Sequence, residues 1–256
     1  LEFRRVLFRS DCLAEPWPMR STSPLLSVRG LARRFGDAWA LDSVDFDLWP
    51  GEILGIIGPN GAGKTTLMEC LVGLLPSDAG EVRIDGRVVA PLQRREHMFC
   101  LPDGIAPWDD QAVWRVTGLF REMHVLSLER EAAVLSGLEL TPVLPKRVGQ
   151  LSKGYRRRLL LALALLTPQP VLILDEPFDG FDLRQTLNVM ALLREVAVQR
   201  ALLLSIHQLR DVERICHRLL LLAAGQRIGM GTLAELAAQA GVARPDLEEV
   251  FLGLTR

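Results

Sequence analysis

The stretch Gly58-Pro59-Asn60-Gly61-Ala62-Gly63-Lys64-Thr65-Thr66 constrains this chain more than any other. It follows an apolar run, Ile53 to Ile57, and precedes a segment of helical pattern, Leu67 to Leu75. Strand, glycine loop and helix in that order, with the spacing Gly-x4-Gly-Lys-Thr, form a phosphate-binding loop. The chemistry explains the residue types. Glycines let successive backbone N–H groups curl round phosphate oxygens, where side chains would block the approach. The helix beginning near Lys64 adds the positive end of its dipole beneath the same phosphates. Lys64 is expected to reach the β- and γ-phosphates, and the Thr65 hydroxyl to ligate Mg²⁺. The stretch therefore predicts a nucleoside triphosphate site.

A second site narrows the chemistry. Val171-Leu-Ile-Leu174 is an apolar strand pattern that ends in Asp175-Glu176. A strand-end Asp opposite Thr65 can hold Mg²⁺ directly or through water. Glu176, the next residue, is placed to polarise an attacking water as a general base.

The rest of the chain frames these motifs. Strand patterns at Leu25–Arg29 and Ser43–Leu48, and a hairpin turning at Asp85-Gly86, predict an antiparallel sheet beside the nucleotide core. His97–Leu101, Ala201–Ile206 and Arg218–Leu222 read as further core strands. Buried strands alternating with helices predict a parallel sheet covered on both faces. Residues from about 110 to 146 carry helical periodicity, and an Arg-led helix follows over 156–166. The fold class is thus α/β: a phosphate-loop core with a mostly parallel sheet, an N-terminal antiparallel β subdomain and a helical subdomain over about 104–168. A hairpin around Ala224-Gly225 and a helical stretch close the chain.

Composition excludes several classes. The net charge of −1 gives no general argument for nucleic acid binding, which usually shows as a basic surplus. Cys12, Cys70, Cys100 and Cys216 show no CxxC spacing, so neither a zinc site nor a disulfide framework is expected. The apolar region Leu159–Leu174 is cut by Pro168 and Pro170, which fits a buried helix and strand better than a bilayer span. Of the three lysines, Lys64 and Lys153 lie inside motifs and Lys146 does not. Residues 1–18 fit no element and are read as a non-native leader, an assembly scar with Met19 as the native start; residues 19–256 then form a single ATPase domain.

With Leu151-Ser-Lys-Gly-Tyr155 and His207, these motifs make the chain resemble the ATP-binding cassette (ABC) ATPase family from about Leu25 onward. The family signature reads Leu-Ser-Gly-Gly-Gln; Lys153 and Tyr155 replace two of its residues, while Ser152 and Gly154 are kept. The resemblance implies that Ser152 and Gly154 contact the γ-phosphate of ATP across a dimer, and that His207 is the switch histidine. Phe35 matches the aromatic that stacks on adenine, with Trp39 a nearby rival, and Asp182 is the acidic member of the loop that reaches across the dimer. Asp103 stands where relatives usually carry Gln, a residue that touches the metal and whose loop docks on the membrane subunit. His217, where relatives often carry Asp, is read as structural.

ATP and Mg²⁺ are the implied substrate and cofactor. The implied partners are a second ATPase subunit, identical or paralogous, and a separate integral membrane permease, with no nucleic acid. The signature and the ending Asp246–Leu252 resemble ATPase subunits of bacterial exporters, peripheral on the cytoplasmic face of the cell membrane. An alternative is a soluble ABC ATPase acting on ribosomes or DNA. A small-molecule kinase would lack Ser152, Gly154 and His207 in these places.

Overall fold

A computed structural model describes residues 23–105, 107–207, 209–242 and 246–255. The leader over 1–18, Cys12 and Met19 lie outside them.

Two sheets share one interior. The first is antiparallel, in the order β2-β1-β4-β5, built from β1 (Leu26–Phe35), β2 (Ala38–Leu48), β4 (Ala79–Ile84) and β5 (Arg87–Val88). Strand β1 runs six residues past the expected Arg29. The pairing register with β2 breaks after Val28, where Gly30 takes a positive φ of 59°, and resumes at Leu31. An unpaired residue of that kind interrupts the alternation on which a strand is recognised, without ending the strand. Asp85 and Gly86 form the expected turn, both with positive φ.

The second sheet has the order β10-β9-β3-β8-β7-β6. Its members are β3 (Ile53–Ile57), β6 (Met98–Leu101), β7 (Val171–Asp175), β8 (Ala201–Ser205), β9 (Arg218–Ala223) and β10 (Gln226–Gly231). Five run parallel and only β10 is antiparallel. Side chains alternate between faces along a strand, so burial on both faces demands an unbroken apolar run. Leu172, Leu174, Leu202 and Leu204 pack on one face, among helices α4 (Lys153–Leu165) and α5 (Leu183–Ala197). Val171, Ile173, Ala201 and Leu203 pack on the other, with α1 (Lys64–Val72) and the inner face of the antiparallel sheet.

Between β6 and β7 the chain is helical, with α2 (Val113–Met123) and α3 (Leu128–Gly137) preceding α4. Helix α6 (Leu209–Ile215) links β8 to β9. The chain ends in α7 (Leu233–Ala240), capped by Thr232, and α8 (Leu247–Leu254), capped by Asp246. Parallel order has one consequence for function. The carboxyl ends of β3, β8, β7 and β6 lie side by side along one edge, where ligands collect in open α/β sheets.

Candidate functional site

The loop leaving β3 is shaped by close approach. At Gly58 a Cβ would lie 2.3 Å from the Leu222 carbonyl oxygen, so no side chain fits there. At Gly63, the residue before α1, φ is 102° and a Cβ would meet the Ala40 carbonyl oxygen at 2.4 Å. Around this loop, the Gly225 N–H donates to the Ala62 carbonyl, and the Asp42 N–H donates to the Gly225 carbonyl. The β1–β2 hairpin and the β9–β10 turn thus brace the loop from outside.

Lys64 is buried, and its Nζ donates to the Gly58 carbonyl at 2.7 Å and the Pro59 carbonyl at 3.1 Å. Burial lowers its pKa, and the charges of Glu176 and Asp175 oppose that shift. The ammonium and the two carboxylates therefore belong to one electrostatic unit. Thr65 is exposed on the first turn of α1, and Thr66 half-buried behind it.

The neighbouring strand ends supply the acids. Asp175 ends β7 with its side chain buried, taking a hydrogen bond from Ser205 Oγ at the end of β8. Glu176 adopts φ of 47°, a left-handed conformation costly for a residue with a side chain. Its N–H donates to the Ser205 carbonyl at 3.1 Å. His207 Nε2 lies 2.5 Å from Glu176 Oε1, so the imidazole and the carboxylate are in direct contact. A cavity of about 100 Å³ opens beside this pair, lined also by Phe178, Asp179, Ile206 and Asp211.

Residues 41–179 match the family described as ABC transporter. The chain belongs to the ABC transporter family. It is 36% identical over 232 residues to the daunorubicin resistance ATP-binding protein DrrA3 of Streptomyces coeruleorubidus, covering 87% of this chain and 72% of that protein. It is 33% identical over 216 residues to the Nod factor export ATP-binding protein I of Paraburkholderia xenovorans, covering 80% of this chain and 70% of that one. A solved structure of the ATP binding subunit of an ABC transporter superposes with a TM-score of 0.83 at 27% identity, covering 91% of this chain and all of that one. The chain is accordingly an ATP-binding subunit of the ABC type, and an ATPase by family.

The remaining residues singled out by the sequence lie elsewhere on the chain. Ser152 caps α4, its Oγ accepting from the Tyr155 N–H at 3.3 Å. At Gly154 a Cβ would find only ordinary contacts, 3.5 Å or more away, so nothing among the described residues requires glycine there. Lys153, the substitute in the signature, pairs with Asp179 at 2.8 Å. Asp182 caps α5, accepting from the Gln185 N–H at 2.8 Å. Phe35 and Trp39 flank the β1–β2 hairpin turn, half-exposed to the same degree, each with an arginine guanidinium over its ring. His217 is structural: the Ile53 N–H at the start of β3 donates to its Nδ1 at 2.8 Å.

Asp103, expected at the metal, is half-exposed, and its carboxylate lies 3.4 Å from Arg157 Nη1. Among the described residues no three His, Cys, Asp or Glu side chains cluster as a metal site. Two residues beside the carboxylates escaped the sequence reading. Ser205 is a hydroxyl ending the apolar run Ala201–Leu204, a break in pattern that could have marked it. Arg157 is the middle of three arginines heading an otherwise apolar helix, and its burial is the unusual feature.

Proposed function

We propose that this chain is the ATP-hydrolysing subunit of an efflux-type ABC transporter, acting as one of two paired ATPase subunits beneath a separate membrane permease. The observation carrying the catalytic reading is the meeting of Glu176 with His207 at 2.5 Å, on the edge that also holds Lys64 and Asp175. Glu176 is the general base, accepting a proton from the attacking water. His207 orients that carboxylate and senses the γ-phosphate. Lys64 exchanges the carbonyls of Gly58 and Pro59 for phosphate oxygens, and the loop N–H groups of residues 58–66 surround them. Phe35 stacks on adenine.

The donor set fits Mg²⁺. Asp175 is a buried carboxylate that joins no ion pair among the described residues, and Thr65, exposed on the first turn of α1, offers a hydroxyl. Magnesium is bound through one or two protein oxygens plus substrate phosphates, so a larger cluster is not required. When bound, it neutralises charge on the β- and γ-phosphate oxygens. Asp103 is left out of this set because its carboxylate is engaged by Arg157.

One chain holds half of the arrangement. Ser152 is exposed at the head of α4, and no described residue gives Gly154 a reason to be glycine. Both are explained if they meet the γ-phosphate bound by a second subunit, with binding closing the pair and hydrolysis releasing it. Export is supported by the relatives named for daunorubicin resistance and Nod factor export. A separate permease is part of this reading because these relatives are named as ATP-binding proteins; no helix among the described residues is long and apolar enough to cross a membrane. Trp108 and Leu119, exposed and lining one surface cavity, suit a docking face of that permease, which would hold the subunit on the cytoplasmic side.

The test is ATPase rate against protein concentration, for wild type and Glu176→Gln, without permease. A rate per chain that rises with concentration and vanishes in the variant supports a paired site with Glu176 as base. A constant rate per chain with an active variant refutes both.

A further inference from the structure

Arg157 lies one and a half turns into α4, the helix headed by the signature, with its side chain only 6% exposed. Its Nη2 donates to two backbone carbonyls, those of Asp175 and Glu176. Its Nη1 faces Asp103 at 3.4 Å. One guanidinium therefore touches three places: the helix that carries it, the backbone of the two carboxylate residues, and the loop that follows β6. The preceding arginine repeats the last contact, since Arg156 Nη2 lies 3.7 Å from Asp109 in the same loop.

We propose that Arg157 is a positioning residue for hydrolysis, fixing the Glu176 backbone in its productive conformation and tying that conformation to the 103–109 loop through Asp103. This rests on the reading of Glu176 as the base. A strained conformation persists only where the surroundings hold it, and φ of 47° at Glu176 is such a conformation. The two carbonyls that flank the φ and ψ rotations of Glu176 are the ones Arg157 grips. A neutral donor could bond those carbonyls at less desolvation cost. The cationic fork adds a third reach, to an acidic loop residue.

Burial pulls the Arg157 pKa down, and Asp103, Asp179, Asp175 and Glu176 in that order support its charge. Losing Asp103 thus removes the anion that Nη1 faces at 3.4 Å. The chain departs from the family at Asp103, and Arg157 gives that departure a role: the short carboxylate reaches the guanidinium instead of the metal. Displacement of the 103–109 loop then reaches Glu176 without passing through Lys64 or Thr65, which stand on the other side of the strand order.

The experiment measures kcat and KM for Mg²⁺-ATP on the full chain, with thermal melting and binding of a fluorescent ATP analogue as folding controls. Arg157→Met is expected to lower kcat about 30- to 100-fold, the scale of a misplaced catalytic group, with KM within about threefold. Arg157→Lys, which keeps the charge and one donor, should recover part of that loss. Asp103→Asn should lower kcat several-fold in the wild-type background and have no further effect beside Arg157→Met, the non-additivity of a shared contact. Full turnover in Arg157→Met, or an Asp103→Asn effect of equal size in both backgrounds, overturns the proposal. If Arg157→Met fails to bind the analogue, the comparison of Asp103→Asn in the Arg157 and Arg157→Lys backgrounds decides: equal effects overturn it, a smaller effect beside Lys supports it. Glu176→Gln separates the two readings. Wild-type turnover in that variant removes the base, whereas an inactive Glu176→Gln beside an active Arg157→Met removes only the positioning role.

Discussion

Gly63 is required on two grounds, its φ of 102° and the 2.4 Å between an added Cβ and the Ala40 carbonyl oxygen. The clash is with backbone, which cannot swing aside as a flexible side chain would. Gly63→Ala should therefore destabilise the chain by about 2 kcal/mol or more and weaken ATP binding together, because the same bend aims the loop N–H groups. Urea denaturation and nucleotide titration of one preparation check this; weakened binding at unchanged stability would mean the glycine serves only the ligand. Residues of this kind were legible in the sequence because phosphate chemistry fixes residue types at fixed spacing. Arg157 was not. Its partners are the carbonyls of Asp175 and Glu176, and a carbonyl leaves no mark in a sequence, since every residue has one. The contact of Asp103 with Arg157 is illegible for a related reason: the two residues are 54 apart along the chain.

Strands β3 and β9 begin at a buried charge. Glu52 is fully buried just before β3, accepting from the Trp49 N–H at 2.8 Å and lying 3.2 Å from Arg218 at the start of β9. Burial pushes its pKa from 4.5 to about 7, against the pull of Arg218. The unfolded chain loses this proton near 4.5 and the folded chain near 7, so between those values the folded state binds more protons. Stability from this group is complete below about pH 4.5, falls by roughly 3 kcal/mol as pH rises to about 7, and is flat beyond. Glu52→Gln should lack that decline, seen as a difference between variant and wild type in denaturation midpoints from pH 5 to 8; parallel curves would refute it. At the head of α4, Gly154→Ala should stabilise the helix by about 0.5–1 kcal/mol, because glycine is poor in a helix and the site has room. The same change should slow hydrolysis if the space is meant for a phosphate, so a higher melting temperature with lower turnover is the expected pair of results. Elements such as β7 and β8 were legible because burial on both faces demands unbroken apolar runs. The length of β1 was not, because the irregularity at Gly30 interrupts the two-residue period while the pairing with β2 continues beyond it.

At the scale of the molecule, the loop of residues 58–66, Asp175, Glu176 and His207 are gathered on one strand edge, whereas Ser152 and Gly154 head α4 and touch none of those side chains in any hydrogen bond or ion pair among the described residues. The sheet layering follows from apolar patterning, so the two-layered α/β core was readable; a division of one site between two chains would follow from surfaces, which patterning does not record. If the site is shared, two differently damaged chains must repair each other. Lys64→Ala removes the phosphate ligand of the chain's own nucleotide. Gly154→Asp keeps the helix, whose first turn favours an acid, but turns a carboxylate toward the partner's phosphate. Each variant alone has a defect in both sites of a symmetric pair. In an equal mixture about half the pairs are mixed, and each mixed pair has one site with both defects and one with neither. Activity should therefore return on mixing, to at most about a quarter of the wild-type rate, and decline again as either variant is added in excess. Mixtures that never exceed the sum of the separate variants, at concentrations where wild type is paired, would place the whole site within a single chain and leave the outward face of α4 without a catalytic role.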